Sequence, residues 1–320
     1  MSKIFEALKR LERESGTLSS DFANDAQVVF EGPAFEEHAA VVADSRSAPA
    51  GAPADDLGPG FDVASAVFAT STVDFAPPED VAAEYAPTIF SLEQLPAENA
   101  VITAESRIVL YTDPHGAGAD RFRLLKMRLQ SAWEKGRLRK LLITSPLPAE
   151  GKSTVALNLA TALAEQGKRT VLLIEGDLRR PMLCSRLGLR PGPGLAECLE
   201  SGCDLISVLR RIEPLGWYLL PAGQVQGNPT ELLQSEGLSS VIQAVSPCFD
   251  WIVIDSPPAT PLADVPALKA HADASLLVVR AASTSREAIE AAIARLGSKH
   301  ILGMILNGAE QLDQLYSKYY

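Results

Sequence analysis

The sequence predicts an α/β protein with a doubly wound, mostly parallel sheet covered by helices on both faces, preceded by a long acidic segment. From about residue 106 to 310, short apolar runs alternate with segments of helical periodicity. The runs are almost wholly apolar, which is typical of parallel strands buried on both faces. Residues 19–105 differ, because they are rich in Ala, Pro, Asp and Ser and show no sustained period.

The first expected element is an amphipathic helix within residues 1–18. Ile4, Phe5, Leu8 and Leu11 have helical spacing, and charged residues lie between them. A helix of about 13 residues is only marginally stable alone in water. Two interpretations remain open: the helix packs on the folded domain, or it docks on a separate protein.

Residues 19–105 are expected to form a disordered acidic linker. Residues 21–105 contain sixteen Asp or Glu and a single Arg, a balance of −15, whereas the whole chain carries −11. A segment of this composition buries too little apolar surface to offset its chain entropy. The acidity of the chain therefore reflects the linker, and the charge pattern predicts no nucleic-acid partner.

The folded domain is expected over residues 106–310. A helix near 119–135 carries Phe122, Leu125 and Leu129 on one face, and a second helix covers 152–166. The expected strands are 140–144, 170–175, 217–220, 251–255, 274–280 and 301–306. In such sheets ligands bind at the carboxyl ends of the strands.

The cysteines and the apolar runs indicate the compartment. Cys184, Cys198, Cys203 and Cys248 form no C-x-x-C pair and no zinc-ligand spacing with histidine, so we expect free thiols in a reducing environment. The charged start lacks the apolar core of a secretory signal. No apolar run approaches the roughly 20 residues that a membrane span needs. We therefore expect a cytoplasmic protein without a direct membrane span.

The strongest chemical signal follows the first expected strand of the domain, where residues 145–154 read S-P-L-P-A-E-G-K-S-T. A strand, a loop ending in G-K-S-T and a helix beginning at the lysine can wrap backbone N–H groups around a phosphate chain. We expect Lys152 to contact the β- and γ-phosphates, Ser153 to ligate Mg²⁺ and Thr154 to lie near the α-phosphate. The full set of expected nucleotide-binding residues in this loop is Glu150, Gly151, Lys152, Ser153 and Thr154.

Three acids follow two other expected strands. Glu175 and Asp177 lie at the end of the run V-L-L-I-E-G-D-L-R-R-P, and Asp255 ends the run W-I-V-I-D-S-P-P. Carboxylates at these positions can hold Mg²⁺ or its water ligands, and can accept a proton from an attacking hydroxyl. Each follows an apolar strand, as the phosphate loop does, so we expect them to meet at one edge of the sheet.

These motifs, in the order P-x-x-G-K-S-T, h-h-h-(D/E)-x-D-x-R and h-h-h-D-x-P-P with a tyrosine-rich end, resemble those of the bacterial tyrosine kinases (BY-kinases). This family is a branch of the MinD/ParA-type P-loop ATPases, and the resemblance is to its soluble form. It covers about residues 105–320 and the opening M-S-K-I-F-E-A-L-K-R. It implies a P-loop NTPase domain that transfers phosphate from ATP to protein tyrosine and regulates exopolysaccharide or capsule polymerisation and export.

The resemblance also implies roles for particular residues. Asp177 would act as the base and Asp255 as the metal-organising acid, with Asn307 near the nucleotide base. The catalytic set is Lys152, Glu175, Asp177 and Asp255, and the Mg²⁺ set is Ser153, Asp177 and Asp255. Glu175 stands where the family usually has Asp, and Ala149 replaces a common glycine.

Partners follow from the same resemblance. It implies a transmembrane activator of the polysaccharide co-polymerase type, a homo-oligomeric ring and a cognate tyrosine phosphatase. The activator would hold the cytoplasmic protein at the inner face of the plasma membrane. Asp120, Arg123 and Lys126 resemble the oligomerisation motif E-x-x-R-x-x-R with each charge sign kept. The alternative is that these three residues are simply the solvated face of their helix.

The last ten residues, 311–320, contain three of the six tyrosines of the chain. We expect Tyr316, Tyr319 and Tyr320 to be phosphorylated in trans, because a terminal segment can deliver its hydroxyls to a neighbouring subunit. The alternative is an aromatic end packed against the domain.

Two other functions remain open. One is an ATPase switch of the MinD/ParA type, but such switches usually carry an additional lysine near the start of the loop, where Leu147 stands here. The other is a nucleotide-responsive scaffold for polysaccharide synthesis, in which Glu175 would mark lost catalysis.

Overall fold

The computed structural model describes residues 91–308, except 137, 166, 261 and 262, together with the backbone of residues 30–31 and 68–69, which pair as two short parallel strands. The predicted N-terminal helix at 1–18, nearly all of the linker before residue 91 and the tyrosine cluster at 311–320 lie outside these residues.

Within residues 91–308, as described, eight strands form one sheet. They are β1 (Ala97–Asn99), β2 (Lys140–Thr144), β3 (Val171–Glu175), β4 (Arg210–Glu213), β5 (Trp217–Leu220), β6 (Trp251–Asp255), β7 (Ala274–Arg280) and β8 (Ile301–Asn307). The spatial order is β8-β7-β2-β6-β3-β5-β4-β1. All neighbours are parallel except β4 and β5, so β4 and β1 run opposite to the other six strands.

Helices connect the strands. They are α1 (Val109–Thr112), α2 (Ala117–Glu134), α3 (Lys152–Ala164), α4 (Leu183–Arg186), α5 (Leu195–Ser201), α6 (Leu205–Val208), α7 (Pro229–Leu233), α8 (Glu236–Val245), α9 (Asp264–Lys269) and α10 (Arg286–Leu296). Among the described residues, none of these helices combines the length and apolar character that crossing a bilayer requires.

Both faces of the sheet are buried, which explains the apolar runs. Along β2, Leu141 and Ile143 join one hydrophobic cluster, whereas Leu142 joins the cluster on the opposite face. Side chains alternate across a strand, so a strand covered on both sides must be apolar at every position. The predicted doubly wound α/β sheet is confirmed.

Helix α2 covers one face through the residues that the sequence singled out. Phe122, Leu125 and Leu129 are buried. Near its end, Trp133 stacks on Trp251 of β6 with ring centroids 6.4 Å apart. The guanidinium of Arg169 lies 3.8 Å from the centre of the Trp133 ring. These contacts fix the helix against the start of β6.

The predicted linker was wrong at its end, because residues 97–99 form the edge strand β1. This strand pairs with β4, and Glu98 contacts Arg210 with oxygen and nitrogen 3.4 Å apart. Neither strand was predicted from the sequence. Both strands are short and partly exposed, and neither is an unbroken apolar run. Backbone pairing and one ion pair stabilise them instead.

The prediction of four free thiols was also wrong. Cys198 and Cys203 form a disulfide with Cα atoms 4.6 Å apart. Helix α5 ends between them and Gly202 takes a φ of 70°, which turns the chain back toward the helix. A spacing of five residues matches neither the C-x-x-C motif nor a zinc-ligand spacing. Cys184 and Cys248 carry no disulfide.

Candidate active site

Four parallel strands bring the predicted residues to one edge of the sheet. The phosphate loop follows β2, the acid pair ends and follows β3, and Asp255 and Asn307 end β6 and β8. The carboxyl ends of parallel strands share an edge, so residues far apart in sequence converge here.

The loop has a backbone that only particular residues tolerate. Gly151 has a φ of +92°, and a Cβ at this position would lie 1.9 Å from Nδ2 of Asn307. The amide of Asn307 donates a hydrogen bond to the carbonyl of Glu150 at 2.8 Å. Asn307 thus lies beside the phosphate loop and holds its backbone, and its contact with the nucleotide base stays a prediction. Ala149 also has a positive φ, 63°, which costs a non-glycine residue about 1–2 kcal/mol.

Glu150 is buried and faces the interior of the loop. Its carboxylate accepts a hydrogen bond from the backbone N–H of Leu147 at 3.1 Å and another from the hydroxyl of Thr284. Burial raises the pKa of this carboxyl, while both hydrogen bonds act in the opposite direction. Glu150 therefore stabilises the loop through these two hydrogen bonds.

Lys152 and Asp177 contact each other at the centre of the site. Nζ of Lys152 lies 3.0 Å from Oδ2 of Asp177, and both side chains are nearly buried. The other oxygen, Oδ1, accepts a hydrogen bond from the backbone N–H of Arg180 at 3.1 Å. The side chains of the loop lysine and the predicted base are therefore in direct contact.

Asp255 is the most deeply buried of the three acids. Burial raises the pKa of its carboxyl to about 7, and the charge of Lys152 and a hydrogen bond from Ser153 oppose that rise. Within the described part of the chain, Oδ1 is buried and has no hydrogen-bond partner. Such an orphaned acceptor is costly unless something else binds it.

The donor set of Ser153, Asp177 and Asp255 fits Mg²⁺. The set offers one hydroxyl and two carboxylates, one of which has the orphaned oxygen. Mg²⁺ is typically bound by one or two carboxylates together with substrate phosphates and water. Among the described residues, no group of three or more His, Cys, Asp or Glu side chains could hold a metal ion.

Glu175 makes a different set of contacts from the one predicted. Oε1 accepts hydrogen bonds from the backbone N–H groups of Met182 and Leu183 at 2.5 and 2.6 Å, and Oε2 accepts one from Ala222 at 3.1 Å. Burial raises the pKa of this carboxyl, and the three backbone donors oppose that effect. Glu175 thereby joins the start of α4 to the loop after β5. A direct role in the chemistry stays a prediction.

Arg186, which the sequence analysis missed, touches the phosphate-binding helix. Its Nη1 donates to the hydroxyl of Thr154 at 2.5 Å. Burial lowers the pKa of Arg186, and the nearby charge of Arg107 lowers it further. The sequence does show a cation, Arg186, shortly after the acid pair. Its spacing from the other motifs does not indicate which residue it contacts.

A second network involves residues 228–233, which read N-P-T-E-L-L. Asn228 caps α7 by accepting from the N–H of Thr230 at 3.1 Å. The Thr230 hydroxyl donates to buried Asp264 at 2.5 Å, and Arg179 donates to the same carboxylate at 2.6 Å. The motif therefore fixes the loop after β3, which carries Asp177.

The predicted oligomerisation residues lie together on α2. Arg123 contacts Asp120 at 3.1 Å and Glu165 at 2.8 Å, and Lys126 lies 3.7 Å from Glu165. Glu165 is the C-cap of α3. These ion pairs lie within one chain, so a role between subunits stays a prediction.

Known proteins are similar to this chain in both sequence and fold. A family model described as an AAA domain matches residues 149–300. Tyrosine-protein kinase YwqD of Bacillus subtilis is 31% identical over 207 residues, covering 64% of this chain and 86% of YwqD. The succinoglycan biosynthesis transport protein ExoP of Rhizobium meliloti is 32% identical over 234 residues, and the match spans 67% of this chain but only 30% of ExoP. The solved kinase domain of Escherichia coli tyrosine kinase ETK superposes with a TM-score of 0.60 at 27% identity, covering 63% of this chain and 80% of that domain.

Proposed function

The chain belongs to the family of bacterial tyrosine-protein kinases, and from this premise we propose that it transfers the γ-phosphoryl group of ATP to tyrosine. The acceptors include Tyr316, Tyr319 and Tyr320 of a second copy. One observation carries the proposal: the loop lysine lies 3.0 Å from Asp177, beside a buried Asp255 with an orphaned oxygen.

This arrangement supplies what phosphoryl transfer requires. The tyrosine oxygen bonds to the γ-phosphorus, the bond from that phosphorus to the β,γ-bridging oxygen breaks, and ADP leaves with the electron pair. Asp177 accepts the phenolic proton. The loop N–H groups and Lys152 hold the β- and γ-phosphates. Mg²⁺, held by Ser153, Asp177 and Asp255, would neutralise charge on the phosphate oxygens.

The contact between Lys152 and Asp177 gives this reaction an order. The ammonium group has three donors and can reach both a carboxylate and a phosphate. As the phosphates draw the ammonium toward them, Asp177 loses its strongest partner among the contacts described above. ATP binding thereby leaves Oδ2 of Asp177 open to Mg²⁺ or to the phenolic proton.

The biological setting is proposed from the relatives. ExoP is named for succinoglycan biosynthesis and transport. We place this kinase in the regulation of exopolysaccharide or capsule polymerisation and export. It would act as a homo-oligomer at the inner face of the plasma membrane, together with a transmembrane activator. A phosphatase would remove the phosphate from its tyrosines.

The test is phosphotyrosine mapping. Purified full-length chain is incubated with ATP and Mg²⁺, with and without the cytoplasmic segment of a candidate activator, and its peptides are analysed by mass spectrometry. Label is expected on the C-terminal tyrosines and should be absent from the Lys152→Met variant, which lacks the phosphate-facing cation. ATP hydrolysis without phosphotyrosine would instead support a nucleotide-driven switch.

A further inference from the structure

The disulfide between Cys198 and Cys203 takes no part in the chemistry proposed above. Cys198 is 5% exposed and packs in a hydrophobic cluster that also contains Leu195 and Leu238. Cys203 is half-buried and follows the last turn of α5. One cysteine of the pair therefore lies near the surface and the other lies in the core.

The fold does not depend on this disulfide. Two hydrophobic clusters, one on each face of the sheet, already supply the core, whereas disulfides are the main stabilisers of domains too small to build one. The two cysteines are only five positions apart. A disulfide that closes so short a loop removes little entropy from the unfolded chain. The domain can therefore stay folded whether the bond is formed or broken.

Helix α5, which carries Cys198, holds the segment that follows β5. The carboxylate of Glu197 accepts a hydrogen bond from the backbone N–H of Gln224 at 3.0 Å. The carboxylate of Glu200 accepts one from the N–H of Gln226 at 2.8 Å. Glu200 lies between the two cysteines in the chain, so the disulfide restrains the turn of helix that carries this contact.

The segment from 221 to 226 is joined to the active site at both of its ends. Near its start, the backbone N–H of Ala222 donates to Glu175 at 3.1 Å. At its end the chain enters α7, where Thr230 and Arg179 both donate to the carboxylate of Asp264. Arg179 belongs to the loop after β3, which carries the proposed base. A displacement of α5 would therefore reach that loop through hydrogen bonds.

We infer that Cys198 and Cys203 form a redox modification site, at which a dithiol and its disulfide form set the rate of phosphoryl transfer. The inference rests on the proposed function, because that function places the chain in a compartment where dithiols reduce disulfides. Protein disulfides in such a compartment are usually transient and serve sensing or catalysis.

The exchange balances without any further reactant. One thiolate of the dithiol attacks Sγ of Cys203, the more exposed cysteine, and Sγ of Cys198 leaves with the electron pair of the broken S–S bond. The second thiolate attacks the mixed disulfide, expels Cys203 and closes the disulfide of the reductant. Each sulfur that leaves takes up a proton that an attacking thiol gave up. Two electrons thus pass to the cysteine pair, and its oxidation is the reverse reaction.

The two redox forms should differ in the loop that carries the base and not in the phosphate loop. Reduction releases the end of α5, so residues 221–233 should open more often and hold the base less well. The phosphate loop is instead held by contacts of Glu150 with Thr284 and Asn307. ATP affinity should therefore be the same in both forms.

The test uses the full-length chain in buffers that contain dithiothreitol and its oxidised form in set ratios. Alkylation followed by mass spectrometry measures the oxidised fraction. Single-turnover labelling with ATP and Mg²⁺ measures transfer, and hydrogen exchange measures the opening of residues 221–233. Cys203→Ser removes the bond. Cys248→Ser is the matched control, because Cys248 is also half-buried and carries no disulfide.

Labelling should be about fivefold faster in the oxidised form than in the reduced form, and the amides of Gln224 and Gln226 should exchange more slowly. Cys203→Ser should match the reduced parent in every buffer, whereas Cys248→Ser should respond as the parent does. Measurable labelling that is equal in the two forms would overturn the inference, as would equal exchange of residues 221–233. A bond that the dithiol cannot reduce in the folded chain, or a redox response that persists in Cys203→Ser, would overturn it too. A change in exchange without label in either form would count against the proposed function alone.

Discussion

Nζ of Lys152 lies 3.0 Å from Oδ2 of Asp177, so the group that should hold the γ-phosphate is paired with the group that should accept the proton. A carboxylate in this position competes with phosphate for the lysine and repels the phosphate directly. The same carboxylate is required for proton transfer.

Asp177→Asn should therefore separate binding from chemistry. We expect the affinity for ATP to stay the same or to rise a few-fold, while phosphotransfer falls by about 10²- to 10⁴-fold, the usual contribution of a general base. Calorimetry and single-turnover labelling measure the two effects. The exposed Asp113→Asn is the control and should change neither. Loss of ATP affinity in Asp177→Asn would show that this carboxylate organises the site mainly through its metal-binding role.

Glu175→Asp should destabilise the protein. The shorter side chain cannot reach Met182, Leu183 and Ala222 together, and each buried backbone N–H left without a partner costs about 1–3 kcal/mol. Thermal denaturation measures the loss, and labelling should fall with it because α4 and the loop after β5 are no longer joined. An unchanged melting temperature together with faster labelling would mean that the shorter acid of the family suits this site better.

Ala149→Gly should stabilise the loop. Glycine tolerates the left-handed backbone at φ 63°, which should raise the free energy of unfolding by about 1–2 kcal/mol. Glycine also gives the unfolded chain more conformational entropy, which offsets part of that gain. We expect a net gain of roughly 0.5–1 kcal/mol in urea denaturation. The contrast is Ala291→Gly on the exposed side of α10, which should cost about 1 kcal/mol. Equal losses in both variants would contradict this account of the loop.

Asp255→Asn should change how stability depends on pH. Burial raises the pKa of Asp255 from 3.8 to about 7, so its favourable contribution is complete below pH 4 and is lost as pH rises through 7. The variant should therefore gain on the parent between pH 5 and 8, by on the order of 2 kcal/mol, since one pKa unit corresponds to about 1.4 kcal/mol. Denaturation without nucleotide or Mg²⁺ measures this difference. A difference that does not vary with pH would mean that Asp255 stays ionised throughout.

Transfer between copies predicts that two variants complement each other when mixed, one with an inactive site and the other without the acceptor tyrosines. A Lys152→Met chain should become phosphorylated when mixed with a chain whose Tyr316, Tyr319 and Tyr320 are changed to Phe. Neither protein alone should be labelled. Because each phosphate adds roughly −1.5 to −2 charges, labelling should also reduce the assembly size in light scattering. Label that appears only when site and tail belong to the same chain would exclude transfer between copies.

The sequence predicted the buried strands well because burial on both faces leaves an unbroken apolar run. The predicted bounds 140–144, 217–220, 251–255 and 274–280 are confirmed to the residue. The edge strand β1 and its neighbour β4 were not predicted, because backbone pairing holds them and backbone pairing leaves no mark on residue composition. The same reason applies to Glu175, whose three partners are backbone N–H groups.

The site was predicted in part for a related physical reason. Motif spacing placed Lys152, Asp177 and Asp255 at one edge, since strand ends converge there, and the resemblance to the bacterial tyrosine kinases added Asn307. It did not show that Lys152 pairs with Asp177, because side-chain partners depend on distances across the sheet. Arg186 escaped for the same reason, since its partner Thr154 lies 32 positions earlier.

The stack of Trp133 on Trp251 gives the protein a built-in optical reporter. The chain has three tryptophans, and two of them lie with ring centroids 6.4 Å apart, where indoles share excitation energy. One ring belongs to the helix that carries Asp120, Arg123 and Lys126, and the other begins the strand that ends at Asp255. Any displacement of α2 against β6, whether caused by nucleotide or by subunit association, would alter emission and its lifetime without an added dye.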